Sequence, residues 1–145
     1  KEMPLRLEAV RAAEVQNATA WQSYAEARAR LAASARLGAG EERPEEAAAL
    51  EPEVRTKGVD MREAMGELDA AANEQWLFHG TSAAAAQSIA EDGRLRTDLA
   101  GSHRGAMYGR GLYLAECSSK ADEYTEVGPD GLCAMLLCRV LLGRV

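Results

Sequence analysis

The sequence predicts an α+β fold, with helices in its first half and short strands alternating with short helices in its second. Three observations predict it. Apolar residues recur every three or four positions before residue 37. Short apolar runs alternate with glycine-marked turns after residue 76. These runs do not follow the regular strand–helix–strand rhythm of a doubly wound parallel sheet. A chain of 145 residues is long enough for one domain with a modest core.

Residues 1–37 read as a helical lead-in. Between about Leu5 and Leu37, the residues Trp21, Tyr24, Arg28 and Leu31 share one helix face, with Val10 leading into it. Asn17 is placed to cap a helix that begins just after it. Trp21 and Tyr24 on that face read as core packing. Residues 38–58 hold Gly38, Gly40, Pro44, Pro52 and a cluster of glutamates, the composition of an acidic, flexible linker or insertion. A short helix follows from Asp60 to about Ala72, with Met61, Met65 and Leu68 on one face.

Residues 59–145 carry the sheet. Trp76-Leu77-Phe78-His79 is strand-like, and Gly80-Thr81-Ser82 breaks it and caps a helix that runs to Asp92 and stops at Gly93. Arg94 to Met107 reads as a polar loop of about fourteen residues, a length usually tied to function or disorder. Gly109-Arg110-Gly111 precedes a strand over Leu112-Tyr113-Leu114-Ala115. Ser118 or Ser119 caps a short helix reaching Tyr124, and Gly128-Pro129-Asp130-Gly131 forms a turn. Leu132 to Leu142 is apolar except for Arg139 and reads as a buried central strand.

Composition narrows the function. The net charge is −6, and residues 1–75 carry most of it, with ten Lys or Arg against fifteen Asp or Glu. The basic stripe that phosphate-backbone binding requires is absent, so nucleic acid is an unlikely partner. An acidic chain still binds an anionic dinucleotide where backbone N–H groups and a few local arginines do so. Cys117, Cys133 and Cys138 match no zinc spacing, so no metal site is expected. Cys133 and Cys138 read as buried free thiols, which suggests a reducing, intracellular compartment, nucleus or cytoplasm. No apolar stretch has the roughly 18 residues of a membrane span. Asn17-Ala18-Thr19 matches a glycosylation sequon, but no signal peptide precedes it, and chance is the better reading.

A strand ending in His79-Gly80-Thr81 presents an imidazole beside a glycine. The glycine lets a flat ligand approach the backbone, and the imidazole pairs with a ribose hydroxyl. Tyr113 follows a Gly-Arg-Gly turn, and Tyr124 follows Tyr113 closely enough for two phenols to sandwich a planar ring. A nicotinamide attached to a ribose suits such a cleft. These residues taken singly leave the plainer readings open: a strand end with a hydrogen-bonded histidine, and a tyrosine in the core.

Four blocks in order are more specific: Leu77–Thr81, Tyr108–Glu116, Ser118–Tyr124 and Met135–Gly143. Together with Val15-Gln16-Asn17, Trp21, Tyr24 and Asn73-Glu74, they resemble the catalytic domain of the poly(ADP-ribose) polymerase family, the diphtheria-toxin-like ADP-ribosyltransferases. The resemblance implies a split antiparallel sheet and transfer of ADP-ribose from NAD, as co-substrate, to an acceptor protein side chain or nucleic acid, with release of nicotinamide. It implies His79 and Tyr113 as catalytic residues and His79, Gly80, Thr81, Tyr113 and Tyr124 as NAD-binding residues, with Ser119 a substitute for the family serine if the local register shifts. His103 and Arg104 lie in a loop over the donor; they read either as solvated loop polarity or, for Arg104, as a charge-assisted contact to the NAD pyrophosphate.

The sequence also departs from the family. Ala121 stands where the family usually has a serine that binds the carboxamide, and Arg94 stands where it usually has an aromatic residue. The third, carboxylate position of the family triad is expected beyond the final strand, and no residue up to Val145 is assigned to it. The C-terminal part of such a domain is therefore expected to lie outside these residues. Three alternatives remain: a catalytically silent NAD- or ADP-ribose-binding module, an enzyme similar to the RNA 2′-phosphotransferases, and a helical interaction module built on residues 5–72.

Overall fold

A computed structural model describes residues 7–38, 61–93, 95 and 111–143. The acidic stretch 38–58 falls outside the described residues apart from Gly38, as do most of the 94–107 loop, Arg104 and Gly109-Arg110. The described elements are α1 (Ala18–Gly38), α2 (Arg62–Met65), a 3-10 turn (Ala70–Ala72), β1 (Glu74–Gly80), α3 (Ala83–Asp92), α4 (Ser118–Asp122) and β2 (Met135–Leu141). The fold is α+β.

Local sequence explains most of the element ends. The Asn17 Oδ1 accepts from the Ala20 amide at 2.9 Å, so α1 starts at its cap. Residues 7–17 are irregular, and Val10 is 71% exposed, so the expected helix from Leu5 contracts to its capped part. Ser82 Oγ caps α3 by accepting from the Ala85 amide at 3.2 Å, and Gly93 ends it at φ +64°. The expected Asp60–Ala72 helix is broken. Gly66 adopts φ +75°, which stops α2 after one turn, and the chain re-forms a turn only at Ala70. Cys117, not Ser118 or Ser119, occupies the N-cap of α4, and its side chain makes no capping bond. The two serines instead lie in the first turn.

β1 and β2 pair antiparallel from Glu74↔Leu141 to Gly80↔Met135. The expected Leu112–Ala115 strand reduces to one bridge. The Phe78 amide donates to the Ala115 carbonyl at 2.8 Å, and the Ala115 amide returns the bond at 2.9 Å. β1 thus has a partner on both edges, while β2 is only half-buried along its length. Among the described residues the centre of the sheet is β1, not the apolar final strand. Cys133 is exposed rather than buried. Cys138 is half-buried, and burial pushes its thiol up to about 11.

Strand alternation gives the sheet two faces. Glu74, Trp76 and the cross-strand neighbour Arg139 share the face toward α1. Gln75, Leu77 and His79 lie on the other.

On the α1 face sits a buried ion pair. The Glu74 side chain is fully enclosed and accepts four hydrogen bonds: Arg139 Nε at 2.6 Å, Arg139 Nη2 at 3.0 Å, the Tyr24 hydroxyl at 2.7 Å and the Asp69 amide at 2.6 Å. Arg139 also donates to the Met65 carbonyl at 2.9 Å and the Glu67 carbonyl at 2.6 Å. Its guanidinium lies between two indoles, 5.6 Å from the Trp21 ring centroid and 5.7 Å from that of Trp76. Burial alone would raise the Glu74 carboxyl, but the bonds from Arg139, Tyr24 and the Asp69 amide outweigh it and hold the carboxyl below its usual range. Burial, then the bond to Glu74, raises the Tyr24 phenol.

Breaking a buried pair from one side strands the remaining charge, so Glu74→Gln should cost about 3–5 kcal/mol of unfolding free energy. Denaturant titration measures it, and a loss typical of a surface substitution would refute the assignment. The same contact sets a pH window. Glu74 titrates lower when folded, so its stabilisation is full above an unfolded value of about 4.3 and is lost as pH falls below it. Tyr24 titrates higher when folded, so its stabilisation is full below about pH 10 and is lost as pH rises above it. Unfolding free energy measured across pH should show both limbs, and Tyr24→Phe should flatten the alkaline one.

Candidate active site

The far end of β1 carries the candidate residues. His79 Nδ1 lies 3.0 Å from the Tyr113 carbonyl oxygen. A carbonyl oxygen only accepts, so Nδ1 carries the hydrogen, and in the neutral ring Nε2 is left as an acceptor. The bond also ties the strand end to the segment that carries Tyr113.

The Tyr113 and Tyr124 rings face each other with centroids 6.5 Å apart and planes 27° from parallel. The two planes thus form a 27° wedge, at a centroid separation where two aromatic rings also contact each other directly. Lys120 Nζ lies 5.7 Å from the Tyr124 ring centroid and 2.6 Å from Glu123 Oε2.

Gly80 is buried where α4 meets β1. A Cβ there would lie 2.7 Å from the Ala121 carbonyl carbon, closer still to its oxygen, and 3.2 Å from Thr125 Cγ2. The missing side chain makes room for the protein's own helix. Thr81 follows at the strand end, half-buried. Ser119 is half-buried in the first turn of α4. It lies two residues from Ala121, about 200° around the helix, so the two point to opposite sides. Arg104 lies outside the described residues.

The structure thus joins His79 to Tyr113 and Tyr113 to Tyr124, and packs Gly80 against the α4 turn. A cleft of about 430 Å³ is lined by Leu77, Leu114, Cys117, Lys120 and Leu142 among others. His79, Tyr113 and Tyr124 do not line it. Among the described residues no group of His, Cys, Asp or Glu is arranged to hold a metal ion. No described helix is long and apolar enough to cross a membrane.

The model of the poly(ADP-ribose) polymerase catalytic domain matches residues 1–145. The chain belongs to that family. A curated relative, the poly [ADP-ribose] polymerase tankyrase of Caenorhabditis elegans, is 34% identical over 73 residues. That match covers 50% of this chain and 3% of the relative, so the chain corresponds to a small part of that protein's length.

Within this polymerase-family domain, sequence reasoning missed the pair that holds the Tyr124 turn. Thr125 Oγ1 donates to Asp122, 2.9 Å from its carbonyl and 3.0 Å from its Oδ1, and both residues are buried. The signal available was the three-residue spacing of Asp122 and Thr125 at a helix end, where such side chains pair with nearby backbone.

Gly80→Ala tests the packing of the domain's strand end. The added methyl should cost about 1–3 kcal/mol of stability by overpacking and displace the α4 turn. Thermal unfolding with an amide NMR spectrum of residues 118–125 checks it, and an unperturbed α4 would refute the contact.

Proposed function

We propose that this chain forms the nicotinamide-binding part of an NAD-dependent ADP-ribosyltransferase, which moves ADP-ribose from NAD to an acceptor protein side chain and releases nicotinamide. The observation that carries the reading is the Tyr113–Tyr124 wedge beside a histidine of fixed tautomer. Family membership supports it. The two phenols take the nicotinamide ring by stacking, and its positive charge adds cation–π attraction. Nε2 of His79 accepts from a ribose hydroxyl, and the backbone of Gly80 and Thr81 pairs with the carboxamide. Ser119 and Arg104 complete the proposed donor contacts, Arg104 at the pyrophosphate.

The chemistry asks little more of these residues than placement. The glycosidic bond to a cationic nicotinamide breaks readily through an oxocarbenium-like state, so a site that fixes the donor supplies much of the catalysis. Ala121, buried against Gly80, provides no hydroxyl for the carboxamide. One hydrogen bond fewer costs about 0.5–1.5 kcal/mol of donor affinity. That observation favours a second reading, a module that binds NAD without turning it over.

Incubation with NAD labelled in both halves separates the two. Nicotinamide release with labelled protein supports the transferase, binding without release supports the module, and no binding at millimolar NAD sinks both. Tyr113→Ala should weaken NAD binding by at least about tenfold, the value of one stacking face. Equal affinity in calorimetry would return Tyr113 to a packing role.

A further inference from the structure

The geometry points to Asp122 and Thr125 as positioning residues that set the width of the Tyr113–Tyr124 wedge, an inference that rests on the proposed donor site and deepens it. Tyr124 is 38% exposed and Glu123 before it is exposed, yet Ala121 at 2%, Asp122 at 3% and Thr125 at 7% around them are buried. The ring therefore projects from a turn that is anchored on both sides.

Each anchor has a definite contact. On the N-terminal side, the Ala121 carbonyl packs into the space left by Gly80 and accepts the Tyr124 amide at 3.1 Å. On the C-terminal side, the Thr125 amide donates to the Asp122 carbonyl at 3.0 Å, and its hydroxyl donates to the same residue. The Thr125 methyl faces the Gly80 α-carbon. Thr125 thus uses its methyl to seat the turn on β1 and its hydroxyl to close it. His79, next to Gly80, holds the Tyr113 carbonyl. Both tyrosines are in this way referred to the same two residues of one strand, and the separation of their rings follows from the α4 turn.

A buried hydroxyl that closes a turn restricts the backbone beside it, and a ring one residue away follows that backbone. Loss of the hydroxyl frees the turn and lets Tyr124 drift from Tyr113. A stacked pair tolerates little displacement, because contact attraction falls steeply within an ångström.

The experiment uses the whole chain and three variants. Thr125→Val keeps the shape and removes the hydroxyl, Thr125→Ser keeps the hydroxyl, and Asp122→Asn retains the backbone acceptor and alters the side-chain one. The first readout needs no ligand: the NMR shifts of the Tyr113 ring protons, which sense the ring current of Tyr124. Thr125→Val should move them, Thr125→Ser should leave them near the original positions, and Asp122→Asn should fall between. The second readout is calorimetric affinity for nicotinamide and, separately, for ADP-ribose. Thr125→Val should weaken nicotinamide about tenfold, on the scale of one hydrogen bond's worth of order, and leave ADP-ribose unchanged.

Unmoved ring shifts in Thr125→Val overturn the inference. So does an equal loss for both ligands, which would mark a general structural role. Moved ring shifts in a chain that binds no nicotinamide even unmutated would support the positioning role and defeat the donor-site reading, so the two failures are distinguishable.

Discussion

One buried carboxylate organises this domain. Glu74 begins β1, and its four hydrogen bonds reach α1 through Tyr24, the segment before the strand through the Asp69 amide, and β2 through Arg139. An isolated ion pair of this burial would be a poor source of stability, because desolvation cancels most of the Coulomb gain. Here the guanidinium also lies over the Trp21 and Trp76 rings at 5.6 and 5.7 Å and is hydrogen-bonded to the carbonyls of Met65 and Glu67. The pair therefore contributes specificity as much as energy. It accepts only one register of β1 on β2, because a slip of one residue would turn Arg139 to the opposite face. It also fixes where α1 lies, since Tyr24 and Trp21 reach the pair only from one docking of that helix.

The same constraint acts on the candidate site through the strand. With Glu74 and Trp76 committed to the α1 face, alternation commits Leu77 and His79 to the other. His79 then meets the Tyr113 carbonyl, and Phe78 holds Ala115 two residues further along. The sheet end is closed beside Glu74 by Asn73, whose side chain donates to the Gly143 carbonyl at 3.0 Å, while the Leu142 amide donates to the Asn73 carbonyl at 3.1 Å. A register locked at Glu74, the start of β1, is delivered as a side-chain direction at His79, about five residues away.

Features that depend on neighbouring residues were legible in the sequence. Asn17 and Ser82 cap the helices they precede, Gly93 ends α3, and the Gly128 amide and carbonyl close the predicted turn with Leu132 and Gly131. The approach of Tyr113 to Tyr124 was read from order and family pattern. Features that depend on distant partners were not legible. Arg139 looked like an interruption in an apolar strand because its partner Glu74 lies 65 residues earlier. Leu112–Ala115 alternates like a strand, yet only Ala115 bridges to β1. Met61, Met65 and Leu68 fit one helical face, but periodicity carries no information on the backbone turn at Gly66. Cys133 looked buried from its apolar run, whereas it stands just after the turn, where the chain has not yet entered the sheet.

Gly80 shows why the fold and the proposed donor site are hard to separate. Read as chemistry, its missing side chain opens the strand end to a ligand. Read as packing, it admits the Ala121 carbonyl, and a methyl group in its place would collide with that backbone. Both readings point to the same residue because the α4 turn that fills the space also carries Tyr124. Ala121 extends the point. It is almost fully enclosed, so a side chain larger than methyl at that position would have to share its space with the strand end. In the proposed donor site, a group that pairs with a carboxamide would therefore be constrained first by how α4 seats on β1 and only second by the ligand, and the proposed positioning of the tyrosine pair depends on the same seating.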